Sequence, residues 1–99
     1  MSEPQSQTEV YPSDKVLKHA CKLSIMQDKP IMMDYWVDSC GDAKVLIGVR
    51  SNDEKMLVRS SEEYTSPISK IYKVQDEYII ITENSIYVVN ADIPTKKIS

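Results

Sequence analysis

Residues 43–50 read Ala43-Lys44-Val45-Leu46-Ile47-Gly48-Val49-Arg50. Ala43, Val45, Ile47 and Val49 alternate with Lys44, Leu46, Gly48 and Arg50. A period of two puts the two sets on opposite sides of a pleated strand. The first set is apolar throughout, so this strand is half-buried and needs partners in a sheet. Ser51-Asn52-Asp53 makes a tight connection, and Met56, Leu57 and Val58 form the return strand. Gly48, in mid-strand, permits a sharp bend or a close backbone approach.

Upstream, Ser39-Cys40-Gly41-Asp42 reads as a turn. Before it, Ile31, Met33, Tyr35 and Val37 point one way and Met32, Asp34 and Trp36 the other, a further strand pattern. The period changes at Pro30, which disfavours α geometry at Lys29. Val16, Leu17, Ala20, Leu23 and Ser24 recur at helical spacing, with Lys15, Lys18, Lys22 and Gln27 free for the other face. Ser13 and Asp14 supply an N-cap. The spacing predicts a helix over 14–27.

Downstream, Ser60 to Pro67 reads as a loop, because Pro67 cannot donate to a ladder and a strand can only begin there. Ile68 to Val74 is a strand and Gln75-Asp76 turns it. Tyr78-Ile79-Ile80-Ile81-Thr82 is apolar on both faces and therefore central. Glu83-Asn84-Ser85 turns again, and Ile86 to Val89 completes the set. Strands joined by short links pair as neighbours. The expectation is an α+β chain: one N-terminal helix followed by a six-stranded antiparallel meander, a rolled sheet or a small β-barrel. Residues 1–12 are expected as a flexible N-terminal arm, 13–93 as a single helix-plus-sheet domain, and 94–99 as a C-terminal tail.

The totals agree with one domain. Ninety-nine residues support one core. The apolar residues are rich in Ile, Val, Met and Tyr and include no Phe, a bias that fits strands. Twelve basic residues are scattered among 15 acidic ones, giving a net charge of −3. Phosphate contacts dominate nucleic-acid affinity, so this balance disfavours nucleic acid as the partner. No apolar run approaches the ~18 residues of a membrane span, and no basic-then-apolar leader pattern opens the chain. The expectation is an intracellular protein with no membrane insertion, its two cysteines, Cys21 and Cys40, being free thiols.

Chemistry-bearing constellations do not assemble locally. His19 and Cys21 lie about 200° apart on a helical wheel, too far for a nucleophile–base pair. Asp34, Asp38 and Asp42 recur every four residues, which in a strand and turn do not share one face, and no calcium-loop pattern surrounds them. One His and two distant Cys fall short of a zinc set. Gly41 and Gly48 are the only glycines, so no phosphate loop is possible. The Glu62-Glu63 pair lacks a cleft for two facing carboxyls. The chain is expected to be no enzyme and to carry no cofactor and no metal.

Aromatic residues are the candidates that remain. Exposed Trp and Tyr anchor interfaces, so Tyr35, Trp36 and Tyr64 are candidate partner-binding residues, joined by Val10 and Tyr11 in the N-terminal arm. Trp36 has a second reading, as a cap on the core against the helix. The expected partner is a protein or a second copy of the chain. A small Sm-like or SH3-like barrel that stacks nucleic-acid bases on Tyr35, Trp36 or Tyr64 is the alternative.

Asp28-Lys29-Pro30-Ile31-Met32-Met33-Asp34-Tyr35-Trp36 directly after a short helix, Tyr64-Thr65-Ser66-Pro67-Ile68, and Tyr78 through Val89 together resemble small uncharacterised proteins of nucleocytoplasmic large DNA viruses. The likeness covers roughly residues 15–90. It carries no catalytic motif. It implies a viral protein made in the cytoplasm of an infected host cell and packaged as a minor virion component, a non-catalytic structural or protein-interaction module.

Overall fold

The computed structural model describes residues 11–41 and 44–98. The first element is helix α1, Asp14–Gln27. Ser13 caps it, its hydroxyl accepting the Val16 N–H at 3.2 Å, which satisfies one of the orphan donors of the first turn. Asp28 closes the helix in the left-handed region (φ 55, ψ 48) with its N–H on the Ser24 carbonyl. Pro30 then prevents continuation. Val16 and Ala20 form the buried stripe of α1.

Among the described residues, eight strands and one short helix follow: β1 Ile31–Met32, α2 Trp36–Ser39, β2 Leu46–Val49, β3 Lys55–Ser60, β4 Glu63–Tyr64, β5 Ile68–Val74, β6 Glu77–Thr82, β7 Ile86–Asn90 and β8 Thr95–Lys97. They build two four-stranded sheets. The inner sheet has the order β1-β7-β6-β5, the outer sheet β4-β3-β2-β8. The result is three layers, with α1, the inner sheet and the outer sheet stacked in that order.

The middle layer depends on β6. Its apolar residues divide by parity, as a strand requires. Ile79 and Ile81, with Ile86 and Val88 of β7, pack under α1 against Val16, Ala20 and Trp36. Ile80, with Val89 of β7, packs on the outer sheet against Tyr35, Val45, Ile47 and Leu57. The expectation that Tyr78 to Thr82 is central holds, since β6 lies between β5 and β7. Fully burying each isoleucine stabilises by roughly 1.5–3 kcal/mol.

The six-stranded meander is corrected in three respects. First, two pairs are parallel and long-range: Ile31 opposite Ile86 in β1–β7, and Ile47 opposite Thr95 in β2–β8. The stretch expected as a tail thus supplies a strand. Second, the chain changes sheets between β4 and β5 instead of continuing one ladder. Thr65 marks the switch. It is buried, and it exchanges hydrogen bonds with Leu57, backbone N–H to carbonyl at 3.0 Å and hydroxyl from the Leu57 N–H at 3.1 Å. Third, neither sheet closes on itself, so no barrel forms.

The strand expected over 31–37 is also shorter. It stops at Met32, and the chain turns through Asp34-Tyr35 into α2. The Trp36 N–H closes the turn on the Met33 carbonyl at 3.1 Å, and Ser39 ties α2 to the sheet. The Ser39 hydroxyl donates to the Trp36 carbonyl at 2.6 Å and accepts the Asn90 N–H at 2.9 Å. The reason is packing on both sides. Tyr35 joins the core between the sheets and Trp36 the core under α1, and a turn at the edge of the inner sheet reaches both.

Candidate interaction surface

The aromatic residues singled out from sequence separate into three groups. Tyr35 and Trp36 are each only 5% exposed, so their rings are core and not surface anchors. Tyr11, 73% exposed, leads into α1. Val10 lies outside the described residues. Tyr64, 52% exposed, stands on β4 at one edge of the outer sheet.

The burial of Tyr35 is reinforced by charge. Its ring meets Tyr87 edge-to-face, centroids 5.3 Å apart, and the Arg59 guanidinium sits 4.6 Å from its centroid. Arg59 also donates to Asp38 at 2.9 Å, to Glu63 at 3.1 Å and to the Asp34 carbonyl. One side chain thereby ties β3 to β4 and to the segment carrying Tyr35, using the fork geometry only Arg offers. Burial raises the Tyr35 and Tyr87 phenols above their usual range, and in Tyr35 the nearby Arg59 charge partly opposes it.

Tyr64 belongs to a patch. Register sets Leu46 opposite Val58, Gly48 opposite Met56, and Val58 opposite Tyr64. These five residues share the face of the outer sheet that points away from the inner sheet, because Ile47 and Leu57 face inward. Gly48 has no Cβ, and Ile98 uses that space. A Cβ there would lie 2.7 Å from the Ile98 δ1 carbon and 2.9 Å from a Val58 γ carbon. The close approach at Gly48 is thus made by side chains, and not by the backbone approach expected from sequence. The Ile98 N–H bonds the Val49 carbonyl at 2.9 Å and fixes the segment after β8 across the sheet. Met56, Val58, Tyr64 and Ile98 then wall a shallow hollow of about 470 Å³, with Arg50, Ser60 and Ser61 at its rim.

Sequence reading placed Leu46 and Gly48 on the polar side of their strand and left Ile98 in a tail. The available signal was Met56-Leu57-Val58, apolar on both faces, which requires cover on both sides of β3.

Nucleophile chemistry gains nothing from the fold. Cys21 and Cys40 are free thiols, Cys21 exposed and Cys40 half-buried. Burial pushes the Cys40 thiol up, partly offset by a hydrogen bond with Ser39, so the reactive thiolate is disfavoured there. Cys40 Sγ lies 3.4 Å from the Trp36 carbonyl, as a weak donor. No group of three or more His, Cys, Asp or Glu among the described residues could hold a metal ion. None of the described helices is long and apolar enough to cross a membrane. Compared with protein-family models, curated proteins and solved structures, the chain matches none.

Proposed function

We propose that the protein is a non-catalytic interaction module that docks another protein, or a second copy of itself, through the outer face of the outer sheet. The observation that carries this reading is the Tyr64 patch. Val58 and Ile98 give it an apolar centre over the buried Met56, Tyr64 a rigid amphipathic ring, and Arg50 with two serines a polar rim. An apolar centre inside a polar rim, with Tyr and Arg present, is the anatomy of a protein interface. Together with the viral resemblance of residues 15–90, this supports a minor structural component of a large DNA virus, acting in the infected cytoplasm or in the virion.

Size-exclusion chromatography with light scattering, run over a wide concentration range, tests the reading. Self-association or a stable complex is expected, weakened by Tyr64→Ser and Val58→Ser. A strict monomer at every concentration, with no partner recovered by cross-linking from infected cells, would remove it.

A further inference from the structure

The opposite side of the molecule carries a second surface of different chemistry. Helix α1 packs over β6, β7 and β1. Beside it, toward β5, a groove of about 550 Å³ is left open. Register gives the groove its floor: Tyr72 stands opposite Ile79, and Val74 lies two residues on along the same face. Lys15, His19 and Lys22, spaced four and three apart, form one stripe of α1 and make the wall. Lys73 stands at the far rim, and the Lys70 ammonium lies 5.8 Å from the Tyr72 ring centroid. No carboxylate is among the lining residues described. The nearby Glu77 is engaged, its two oxygens accepting the Ser13 N–H at 3.0 Å and the Ser13 hydroxyl at 2.8 Å. In a chain of net charge −3, this is a concentrated cationic site over an apolar floor.

The groove also borders an open sheet edge. β5 is the last strand of the inner sheet, seven residues long, and among the described residues its far side hydrogen-bonds to no strand. The β2–β3 turn, with Asp53 and Glu54, lies beside Ile68 to Ile71, so the part from Tyr72 to Val74 is the one nearest the lysines of α1. Unpaired strand edges recruit strands. A second copy fits less well, because an antiparallel pairing of two β5 edges centred on Lys70 or on Lys73 sets like charges opposite each other, whereas an acidic strand meets a favourable charge in every register.

We propose that this edge and groove bind an extended acidic segment of a partner protein, which adds to β5 as a fifth strand. Backbone hydrogen bonds to β5 provide the docking. Carboxylates on the added strand meet Lys15, His19 and Lys22 on the helix side, and its alternate apolar side chains, on the opposite face, extend the layer beside Ile71. This surface faces away from the Tyr64 patch, so either can fail without the other.

The test uses fluorescence anisotropy on the full chain with a labelled peptide of alternating Glu and Val. Binding is expected, weakening as salt rises because exposed charge pairs are screened. The same peptide with Lys in place of Glu is expected not to bind. The double variant Lys15→Glu/Lys22→Glu, both sites being exposed, is expected to keep its thermal unfolding midpoint and lose about tenfold or more in affinity. A Glu-Val peptide N-methylated at alternate residues keeps its charge but cannot form the ladder, and is expected not to bind. Equal binding of the Glu and Lys peptides, or of wild type and the double variant, overturns the proposal. So does full binding of the N-methylated peptide, or tighter binding of a single-stranded oligothymidylate than of the Glu-Val peptide.

Discussion

The two sheets solve the same problem with different completeness. In the inner sheet, Ile79, Ile80 and Ile81 of β6 present apolar surface to both sides, and both sides are covered, by α1 and by the outer sheet. In the outer sheet, Met56, Leu57 and Val58 of β3 do the same, but only Leu57 meets a full layer. On the other side Ile98 and the edge ring of Tyr64 stand in for one; Met56 is buried there all the same, and Val58 is left half-buried. The difference teaches that a doubly apolar strand states how much cover it needs and not where the cover comes from. One sheet obtains it from within the fold. The other leaves part of its apolar surface, at Val58, Tyr64 and Ile98, facing solvent.

The largest test of this contrast is in the middle layer. Ile80→Ala leaves a void between two sheets that cannot both collapse onto it, and a loss of about 2–5 kcal/mol is expected in urea unfolding. That is a large share of the roughly 5–15 kcal/mol that holds a domain folded. A loss no larger than that of an exposed substitution would show that the sheets are not tightly packed.

Next comes the improvised cover. Gly48→Ala places a methyl where Ile98 and Val58 already lie. Overpacking costs about 1–3 kcal/mol, less where a flexible chain end can move. The Ile98 side chain is such an end, so the expected signature is local: faster amide hydrogen exchange at Ile98, whose N–H is held by Val49, with the inner sheet unchanged.

The third test is alkaline pH. Tyr35 and Tyr87 have phenols raised by burial between the layers. The unfolded chain therefore loses these protons first, so the stability they contribute is fully present below the ordinary tyrosine pKa near ~10. It is lost as pH rises from there through the raised folded values, with a slope of up to ~1.4 kcal/mol per pH unit for each ring. Urea midpoints measured across that window are expected to fall more gently in Tyr87→Phe. An unchanged profile would place the ring in water. The smallest effect is expected at Tyr64→Ser, within about 0.5 kcal/mol of wild type in urea unfolding, because that ring is exposed. A larger loss would make Tyr64 part of the core and not of a docking face.

Much of this arrangement is legible in the chain. The helix bounds follow from Ser13, Pro30 and the spacing between them, all local signals. The central place of β6 follows from its composition. What is not legible depends on contacts far apart in sequence. β1 and β8 are two and three residues long, too short for any period to register, and exist because β7 and β2 offer them edges. The Tyr35-Trp36 pair reads as strand because alternation assigns opposite sides. The sides are indeed opposite, yet both are interior, since three layers provide two cores. From the patch around Tyr64, that tyrosine alone is visible in sequence. Its neighbours are not, because Ile98 reaches Val58 only through the β2–β8 pairing.

The two parallel edges have a kinetic consequence. The hairpins β2–β3, β5–β6 and β6–β7 join near neighbours, whereas β1–β7 and β2–β8 join residues such as Ile31 with Ile86 and Ile47 with Thr95. Contacts of high contact order bear the entropy of closing long loops before they gain anything. During synthesis the hairpins can form as soon as their own residues emerge. Ile31 and Ile47 must wait, with those edges open, until Ile86 and Thr95 have emerged. For that interval the half-assembled sheets are at their most adhesive, and the order of translation itself governs how long the interval lasts.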